Sequence, residues 1–466
     1  MCRHWRKTFL QHGALWSQLF LEHGKNYVTT LLERAKGSAL EIFTDHRASL
    51  DTIPLFSSYA RQIRRLEFRF NCLTEVSIFS EANSGPLPLL RTLKIYLSEF
   101  RNPHGLPNIF TSPSLPLFSG AVNLKEFALT SNQAGLLNRF VFPNLTLLTL
   151  DTLRVDGLDA SHLFDFLKAS PMLRMVDVKV GGGIRLGNIP RDMVVVLPNV
   201  EFFSLLVRNN AHRLYETVAH ISCPNARYTC LTLDRCEVDM ATGLEIFPDP
   251  ILWKEIARQY GSSLVEEVMF QMVFTGYTLT FQSSDATVIE LSFEITEARS
   301  GEAGPNLAWG DVYFEMFSQA CSTIRSHPIL SHIKRLDIED NTGLWGDAYA
   351  VPAASEIRDL FKCLGPLDEL IFYGQDPQIF LSPFVDLPEF RHLERVFPPV
   401  KKLEVSGRWE AHRERCMEAV VELAKSQHKL GIPFEHVTVR AREVPTDMTE
   451  RLREWVSAAD CFELRF

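Results

Sequence analysis

The sequence lacks the cysteine spacing and the long apolar runs that would place the chain outside the cell or in a membrane. Its nine cysteines are scattered, with no Cys-x-x-Cys pair, which argues against a disulfide framework or a zinc module. No apolar run reaches the roughly 20 residues that a membrane-spanning helix needs, and no signal peptide follows the basic N-terminal residues. The sequence therefore predicts an intracellular protein, in the cytoplasm or nucleus, with no membrane partner.

Clustered positive charge is also missing from the sequence. The chain holds 48 Lys and Arg against 57 Asp and Glu, a net charge of -9, and the two signs are interleaved along it. Because nucleic-acid binding depends on grouped Lys and Arg side chains, this pattern argues against a nucleic-acid partner.

Motifs for catalysis and for cofactors are absent as well. Gly181-Gly182-Gly183 lacks the Gly-Lys-Ser/Thr ending of a phosphate-binding loop, and the 14 histidines are dispersed. Neither a Gly-x-Ser-x-Gly nor a His-Glu-x-x-His motif occurs. We therefore predict no catalytic residue, no metal and no cofactor, and a protein that is not an enzyme. An enzyme built on an α/β fold is the disfavoured alternative.

What the sequence does contain is a short apolar motif, Leu-x-x-Leu-x-Leu in outline, that returns along the whole chain. With 46% hydrophobic and 23% charged residues, the composition is that of a folded protein. The thirteen occurrences of the motif are Ile63/Leu66/Phe68, Leu90/Leu93/Ile95, Leu124/Phe127/Leu129, Leu145/Leu148/Leu150, Leu173/Val176/Val178, Val200/Phe203/Leu205, Tyr228/Leu231/Leu233, Val265/Val268/Phe270, Val288/Leu291/Phe293, Ile333/Leu336/Ile338, Leu367/Leu370/Phe372, Val400/Leu403/Val405 and Phe434/Val437/Val439.

The spacing of this motif is typical of leucine-rich repeats. The central residues Leu148, Val176, Phe203 and Leu231 follow one another at steps of 28, 27 and 28 residues, within the roughly 20 to 29 residues of that repeat class. Elsewhere the steps lengthen, and the usual Asn or Cys ladder position is not filled consistently. Prolines such as Pro143 stand just before several motifs, where they end a preceding helix.

Helical patterns lie between the motifs, so the expected unit is a strand followed by a helix or loop. The fold class predicted is α/β: an irregular leucine-rich-repeat-like solenoid with a parallel sheet on one face and helices or loops on the other. The alternative is that the motifs are buried strands of two unrelated α/β domains. The predicted helices are Ser161–Ala169, Ala211–Ile221, Pro250–Tyr260, Trp309–Ser326, Ala353–Cys363 and Glu410–His428, with a hairpin or meander over Val265–Thr296 and a loop over Glu297–Pro305.

The N-terminal residues resemble the second half of an F-box. Cys2-Arg3-His4-Trp5-Arg6 followed by Leu15-Trp16-Ser17 is similar to that motif, and the stretch Tyr27–Ile42, with its Lys36-Gly37-Ser38, resembles the linker after the F-box in fungal F-box proteins. This predicts three segments: the partial, helical F-box-like motif at 1–24, a helical linker with the first strand at 25–62, and the solenoid at 63–466, with an irregular insertion at about 265–330.

The resemblance implies a role in protein degradation. In that family the F-box binds the Skp adaptor of a cullin-RING ubiquitin ligase, and the repeats select the protein to be ubiquitinated. Trp5, Leu15 and Trp16 are then the expected adaptor-binding residues. The first half of the motif, with its Leu-Pro, is missing, so the expectation is either a shortened product or a protein that has lost its coupling to the ligase. A cap on the open end of the repeats is the alternative role for these three side chains.

A partner-binding face is predicted from strand alternation. If the apolar motif residues point into the core, the residues between them point outward. In the later-central motifs the outward residues are mainly acidic, with Arg335 as the lone cation among them: Asp234, Glu267, Glu290, Glu294, Asp337, Glu339 and Glu369. Such a surface would favour a basic segment of a protein partner, although an ordinary solvated face of an acidic protein is the competing interpretation.

The function expected from these observations is protein binding. The first hypothesis is a substrate-recognition subunit of a Skp-cullin-F-box ubiquitin ligase that binds an unknown protein. The second is a stand-alone repeat scaffold without ligase coupling.

Overall fold

The protein is described by a computed structural model with two compact units. The first unit comprises Met1–Arg208 and Glu216–Ala226, and the second comprises Asn209–Tyr215 and Arg227–Phe466. The chain is mixed α/β, built on mostly parallel β-sheet with several helices. The structure describes residues 3–44, 53–70, 85–97, 117–131, 134–152, 158–181, 184–185, 193–208, 211–234, 265–273, 276–283, 288–294, 333–340, 354–374, 381, 384, 397–407 and 413–463.

The first unit contains a sheet of eight parallel strands that follow one another in chain order. Each strand hydrogen-bonds to the next. The strands are β1 (Gln18–Phe20), β2 (Leu40–Phe43), β3 (Ile63–Phe70), β4 (Thr92–Leu97), β5 (Glu126–Thr130), β6 (Leu147–Thr152), β8 (Met175–Val180) and β11 (Phe202–Arg208). Two short parallel pairs accompany them: β7 (Leu158–Asp159) with β9 (Ile184–Arg185), and β10 (Val195–Val196) with β12 (Ile221–Ser222).

The helices of the first unit stand between these strands. They are α1 (Arg3–Gln11), α2 (Lys25–Ala35), α3 (Ile53–Ser57) and α4 (Ala160–Lys168), and α5 (Ala211–Ala219) includes residues of both units. Within the described ranges, 3₁₀ turns are found at Gly13–Trp16, Leu21–His23, Ala60–Gln62 and Ala134–Arg139. The Asp159 side chain caps α4 by accepting a hydrogen bond from the Ser161 N–H at 2.9 Å.

The second unit also contains a sheet, in which one strand runs against the others. The strands are β13 (Tyr228–Asp234), β14 (Val265–Val273), β15 (Gly276–Ser283), β16 (Val288–Glu294), β17 (Arg335–Asp340), β18 (Leu367–Gly374), β19 (Val400–Gly407), β20 (His436–Ala441) and β21 (Ala458–Glu463). Its helices are α6 (Ala354–Lys362), α7 (Arg413–Lys429) and α8 (Met448–Arg453). From β17 to β21 the strands are parallel and lie in chain order.

The meander predicted at Val265–Thr296 is present and reverses the local strand order. β13 pairs with β16 in parallel, β16 and β14 each pair with β15 in antiparallel fashion, and β14 pairs with β17 in parallel. A regular repeat stack would place β14 beside β13, so this hairpin is a clear departure from uniform repetition. All thirteen Leu-x-x-Leu-x-Leu motifs nevertheless run into strands, and within each unit these strands share one direction.

The predicted helices agree with the structure wherever it describes them. The patterns at Ser161–Ala169, Ala211–Ile221, Ala353–Cys363 and Glu410–His428 correspond to α4, α5, α6 and α7, with bounds shifted by one to three residues. The patterns at Pro250–Tyr260, Trp309–Ser326 and Glu297–Pro305 lie outside the described residues. Eight described strands carry no motif: β1, which lies within the predicted F-box-like segment, β2, β7, β9, β10, β12, β15 and β21.

The motif residues form the core, and around Phe127 it is filled by aromatic side chains. Leu66, Leu93 and Phe127 are fully buried and face one another in register across β3, β4 and β5. The Phe127 ring lies 4.8 Å from that of Phe140 and 5.1 Å from that of Phe142. Burial of these positions accounts for the alternating pattern of the strands.

A ladder of asparagine side chains connects successive motifs of the first unit. In each case an exposed Asn just before a motif donates its Nδ2–H to a backbone carbonyl at the corresponding turn of an earlier motif. The four bonds are Asn123 to Pro88 O at 2.9 Å, Asn144 to Val122 O at 2.9 Å, Asn199 to Pro171 O at 3.0 Å and Asn225 to Pro198 O at 2.7 Å. These asparagines precede their strands, whereas the Asn or Cys position of leucine-rich repeats, which this sequence does not fill consistently, follows the strand.

We expect Asn199→Ala to lower the free energy of unfolding by about 1 kcal/mol, because one hydrogen bond of the ladder is lost. Met172→Ala is the matched control, since Met172 is exposed at the same position before its motif and its loss should change stability by less than about 0.5 kcal/mol. Urea unfolding followed by circular dichroism measures both. Equal effects of the two substitutions would show that the ladder does not stabilise the fold.

Candidate protein-binding surfaces

The first candidate surface is the N-terminal helix α1, which has no buried residue. Trp5 is 67% exposed, Leu15 55% and Phe9 47%. Large apolar side chains that stay in water on one short segment are typical of an interaction site. Trp5 and Leu15 are therefore not part of a core, whereas Trp16 is partly buried.

Trp16 holds α1 against the rest of the N-terminal region. Its indole N–H donates to the Phe9 carbonyl at 3.1 Å, and the two rings meet edge to face at 5.1 Å. The Arg34 guanidinium of α2 lies 4.8 Å from the centre of the Trp16 ring, within cation–π distance. Gly13 permits the close approach of this turn to α2, because a Cβ at Gly13 would lie 2.2 Å from Ala35 O. Of the three predicted adaptor-binding residues, Trp16 is thus the anchor, and Trp5 and Leu15 are presented to solvent.

The second candidate surface is the outward face of the second unit, where the predicted acidic residues lie. Register places Glu267, Arg335 and Glu369 in one row across β14, β17 and β18, and Asp337 follows two residues after Arg335 on the same face. The Arg335 Nε donates to Asp337 Oδ1 at 2.9 Å, Nη2 donates to Oδ2 at 2.9 Å, and Nη1 lies 3.3 Å from Glu369 Oε2. The hydrogen bonds with Asp337, with added attraction from Glu369 and Glu267, raise the pKa of Arg335 above its usual value.

Arg335 is therefore the centre of a cluster with excess negative charge. One guanidinium faces the carboxylates of Asp337, Glu369 and Glu267, which leaves a formal charge of about -2 at neutral pH. Glu339, in the next row, accepts a hydrogen bond from Gln271 Nε2 at 2.9 Å. These four predicted acidic residues do lie together on one face.

Glu290 belongs to a separate cluster on the same face. β15 and β14 stand between its strand, β16, and β17. The Tyr228 hydroxyl donates to Glu290 Oε2 at 2.6 Å, and the Cys230 thiol lies 3.7 Å from Oε1. Asp234 and Glu294 are partners in the β13–β16 register, but their side chains lie outside the part of the structure that is described.

The acidic character of the face does not continue across the whole sheet. Beyond β18 the outward positions include Lys402 and Arg440, and the Arg440 Nε lies 3.3 Å from Glu404 Oε1. Arg335 is thus the lone cation of the predicted set but not of the face. The residues from Asp234 to Glu369 thus represent only the acidic part of the face.

The cysteines near these surfaces are poor nucleophiles. Burial raises the pKa of the Cys230 and Cys461 thiols above the usual value, as it does for the buried Cys223. A thiol with a raised pKa stays protonated at neutral pH, whereas the thiolate is the reactive form. Burial, reinforced by the hydrogen bond with Glu290, also raises the pKa of Tyr228.

No group of three His, Cys, Asp or Glu residues is arranged to hold a metal ion among the residues that the structure describes. Within the same residues, no helix is long and apolar enough to cross a membrane. Comparison with known proteins adds no family: no protein-family model matches the chain, and no curated protein matches its sequence.

We expect Arg335→Gln to lower the free energy of unfolding by about 1 kcal/mol at low salt, because the neighbouring carboxylates then repel one another without a cation between them. The loss should shrink in 1 M NaCl, where this repulsion is screened. Arg227→Gln, which removes an exposed arginine that makes no ion pair in the described part of the chain, is the control for loss of a positive charge. A destabilisation that does not depend on salt would contradict the role of Arg335 as a counter-charge.

Proposed function

We propose that the chain is a protein-binding subunit of the F-box and leucine-rich-repeat-like type, which selects a protein for a Skp-cullin-F-box ubiquitin ligase inside the cell. The observation that carries the proposal is the exposure of Trp5 and Leu15. Trp5 lies in α1, a helix without any buried residue, and Leu15 lies in the 3₁₀ turn that follows it. Tryptophan is among the few side chains that carry most of the affinity at protein interfaces, and Leu15 adds exposed apolar surface on the same segment. Their positions match the arginine-tryptophan and leucine-tryptophan elements of the F-box resemblance.

The strand arrangement supports the repeat-like part of the proposal. A solenoid of strand-and-helix units requires parallel strands in chain order, with each motif adding one strand to the sheet. The asparagine ladder recurs at four turns of the first unit, whereas the reversed meander at β14–β16 departs from regular repetition in the second unit. In this proposal the outward faces and their bordering loops bind the selected protein.

The adaptor role is tested with the full chain carrying Trp5→Ala and Leu15→Ala together. Both side chains are more than half exposed, so the double variant should remain folded while losing apolar contact with the Skp adaptor, and we expect co-purification of adaptor and cullin to fall at least roughly tenfold. Val141→Ala with Val196→Ala is the matched control, because these valines are 52% and 57% exposed elsewhere in the first unit.

The outcome of this experiment also separates the proposal from its main alternative. If adaptor and cullin co-purify with the control and not with the double variant, the N-terminal segment couples the chain to the ligase. If they never co-purify with well-folded wild-type chain, the ligase role is wrong, and a stand-alone scaffold that binds its partner without ubiquitination replaces it.

We propose further that the acidic outward face, formed by Asp234, Glu267, Glu290, Glu294, Asp337, Glu339 and Glu369, favours a basic segment of the selected protein. The excess negative charge around Arg335 supports this direction of complementarity. The competing interpretation is a solvated acidic face without a partner.

Reversal of charge tests the acidic face. We expect Glu290→Lys with Glu294→Lys to weaken binding of a synthetic lysine-rich peptide roughly tenfold, because two attractive charges become repulsive. Tyr228→Phe is the control: it removes the hydroxyl that donates to Glu290 but keeps the carboxylate, so peptide binding should persist. Unchanged binding by the charge-reversed chain, measured by fluorescence anisotropy, would refute a role for this face.

A further inference from the structure

One column of exposed side chains in the first unit is defined by the second position of the Leu-x-x-Leu-x-Leu motif. The backbone N–H groups of Arg91, Lys125, Thr146 and Arg174 each donate to the carbonyl of the equivalent residue one motif earlier, starting at Arg64, over 2.8–2.9 Å. Neighbouring strands lie about 4.8 Å apart, so these residues form a line of roughly 19 Å. Four of the five are cations. We call Arg64, Arg91, Lys125 and Arg174 the basic column.

Three of the four cations of the basic column, Arg64, Arg91 and Lys125, form no ion pair within the described part of the chain. All four side chains are exposed. Lys125 Nζ donates to the Asn144 carbonyl at 3.2 Å, and Arg174 lies 3.8 Å from the exposed Glu201. Like charges on adjacent strands destabilise a sheet, so the fold keeps this column at an energetic cost.

Two acidic residues that closely follow column members in the sequence are engaged elsewhere. Glu67 forms an ion pair with Arg65 at 2.9 Å on the outward face, and Glu126 forms one with Lys94 at 2.8 Å. Both carboxylates therefore interact with cations of the sheet face and leave the edge that carries the column positive.

The same motif position in the second unit shows how a neutral column is built. There the residues alternate in sign: Glu266, Lys334, Asp368, Lys401 and Glu435. Lys334 Nζ lies 2.6 Å from Glu266 Oε1, and Lys401 Nζ lies 2.6 Å from Asp368 Oδ1. These hydrogen-bonded pairs raise the pKa of both lysines and lower the pKa of Asp368. The uncompensated charge is thus a property of the first unit and not of the motif.

Exposed aliphatic side chains border the basic column. Leu89 is 46% exposed, Val122 55% and Met172 49%, and they precede Arg91, Lys125 and Arg174 by two or three residues. A row of cations beside a row of apolar side chains is complementary to a polypeptide that carries both carboxylates and apolar groups. Single-stranded nucleic acid, in contrast, is usually bound with aromatic stacking platforms, and the bordering side chains here are aliphatic.

We propose that the basic column and its aliphatic border bind an acidic, extended segment of a partner protein in which apolar residues are interspersed. A segment of about six residues spans the column, since an extended chain covers roughly 3.3 Å per residue. None of its residues belongs to α1 or to the acidic face, so the proposal does not rest on the ligase role.

The test uses the full chain and a fluorescent twelve-residue peptide of repeated Glu-Glu-Leu. We expect Arg64→Gln/Arg91→Gln/Lys125→Gln to weaken binding roughly tenfold or more, and the wild-type affinity to fall as salt screens the charges. The matched control is Lys334→Gln/Lys401→Gln, which removes two cations from the same motif position where each is already paired. This control should bind the peptide like the wild type.

A second comparison decides the class of partner. Leu89→Ala with Met172→Ala should weaken binding of the Glu-Glu-Leu peptide and leave binding of an all-glutamate peptide unchanged. The proposal is overturned if the wild type binds neither peptide, if the triple variant and the control lose affinity equally, or if a single-stranded oligonucleotide binds more tightly than the peptide through the same three cations. The last result would make the partner a nucleic acid.

Discussion

The parallel backbone register is the constraint on which the rest of the structure depends. In the first unit, the N–H at the second motif position donates to the equivalent carbonyl of the preceding strand, from Arg64 onward. Because a slip of one residue would turn every motif side chain from core to solvent, burial of residues such as Leu66, Leu93 and Phe127 fixes this register. Each motif position then becomes a column, and the chemistry of a column is set by the residues that occupy it.

This constraint explains which parts of the molecule could be predicted from the sequence. The spacing of buried residues such as Leu148 and Val176 identified thirteen strands, since alternation is visible along a single segment. The reversed order of β14, β15 and β16 was not predictable in the same way. A motif shows that a strand is buried, but it does not show which neighbour the strand pairs with, and β15 carries no motif.

For the same reason, the acidic face could be predicted from the sequence and the basic column could not. Outward residues such as Glu267 and Asp337 follow from alternation within one strand, and the structure places them together around Arg335. The basic column was not predicted because its successive members are 27, 34 and 49 residues apart, so that along the sequence the charges look interleaved. Only the register shows that Arg64, Arg91 and Lys125 are neighbours. A chain with a net charge of -9 can therefore still present a local positive surface.

The two units differ in the charges at the second motif position, and this difference is informative about function. A column of charged residues about 4.8 Å apart is least costly when the signs alternate, as they do at Glu266, Lys334 and Asp368. Charges of alternating sign in the first unit would leave its core unaltered, because the side chains at this position are exposed. The first unit instead has three consecutive cations, and none of the described contacts shows that they benefit folding. The electrostatic cost is offset once an anionic partner lies on the column, which makes binding the physical reason for the pattern.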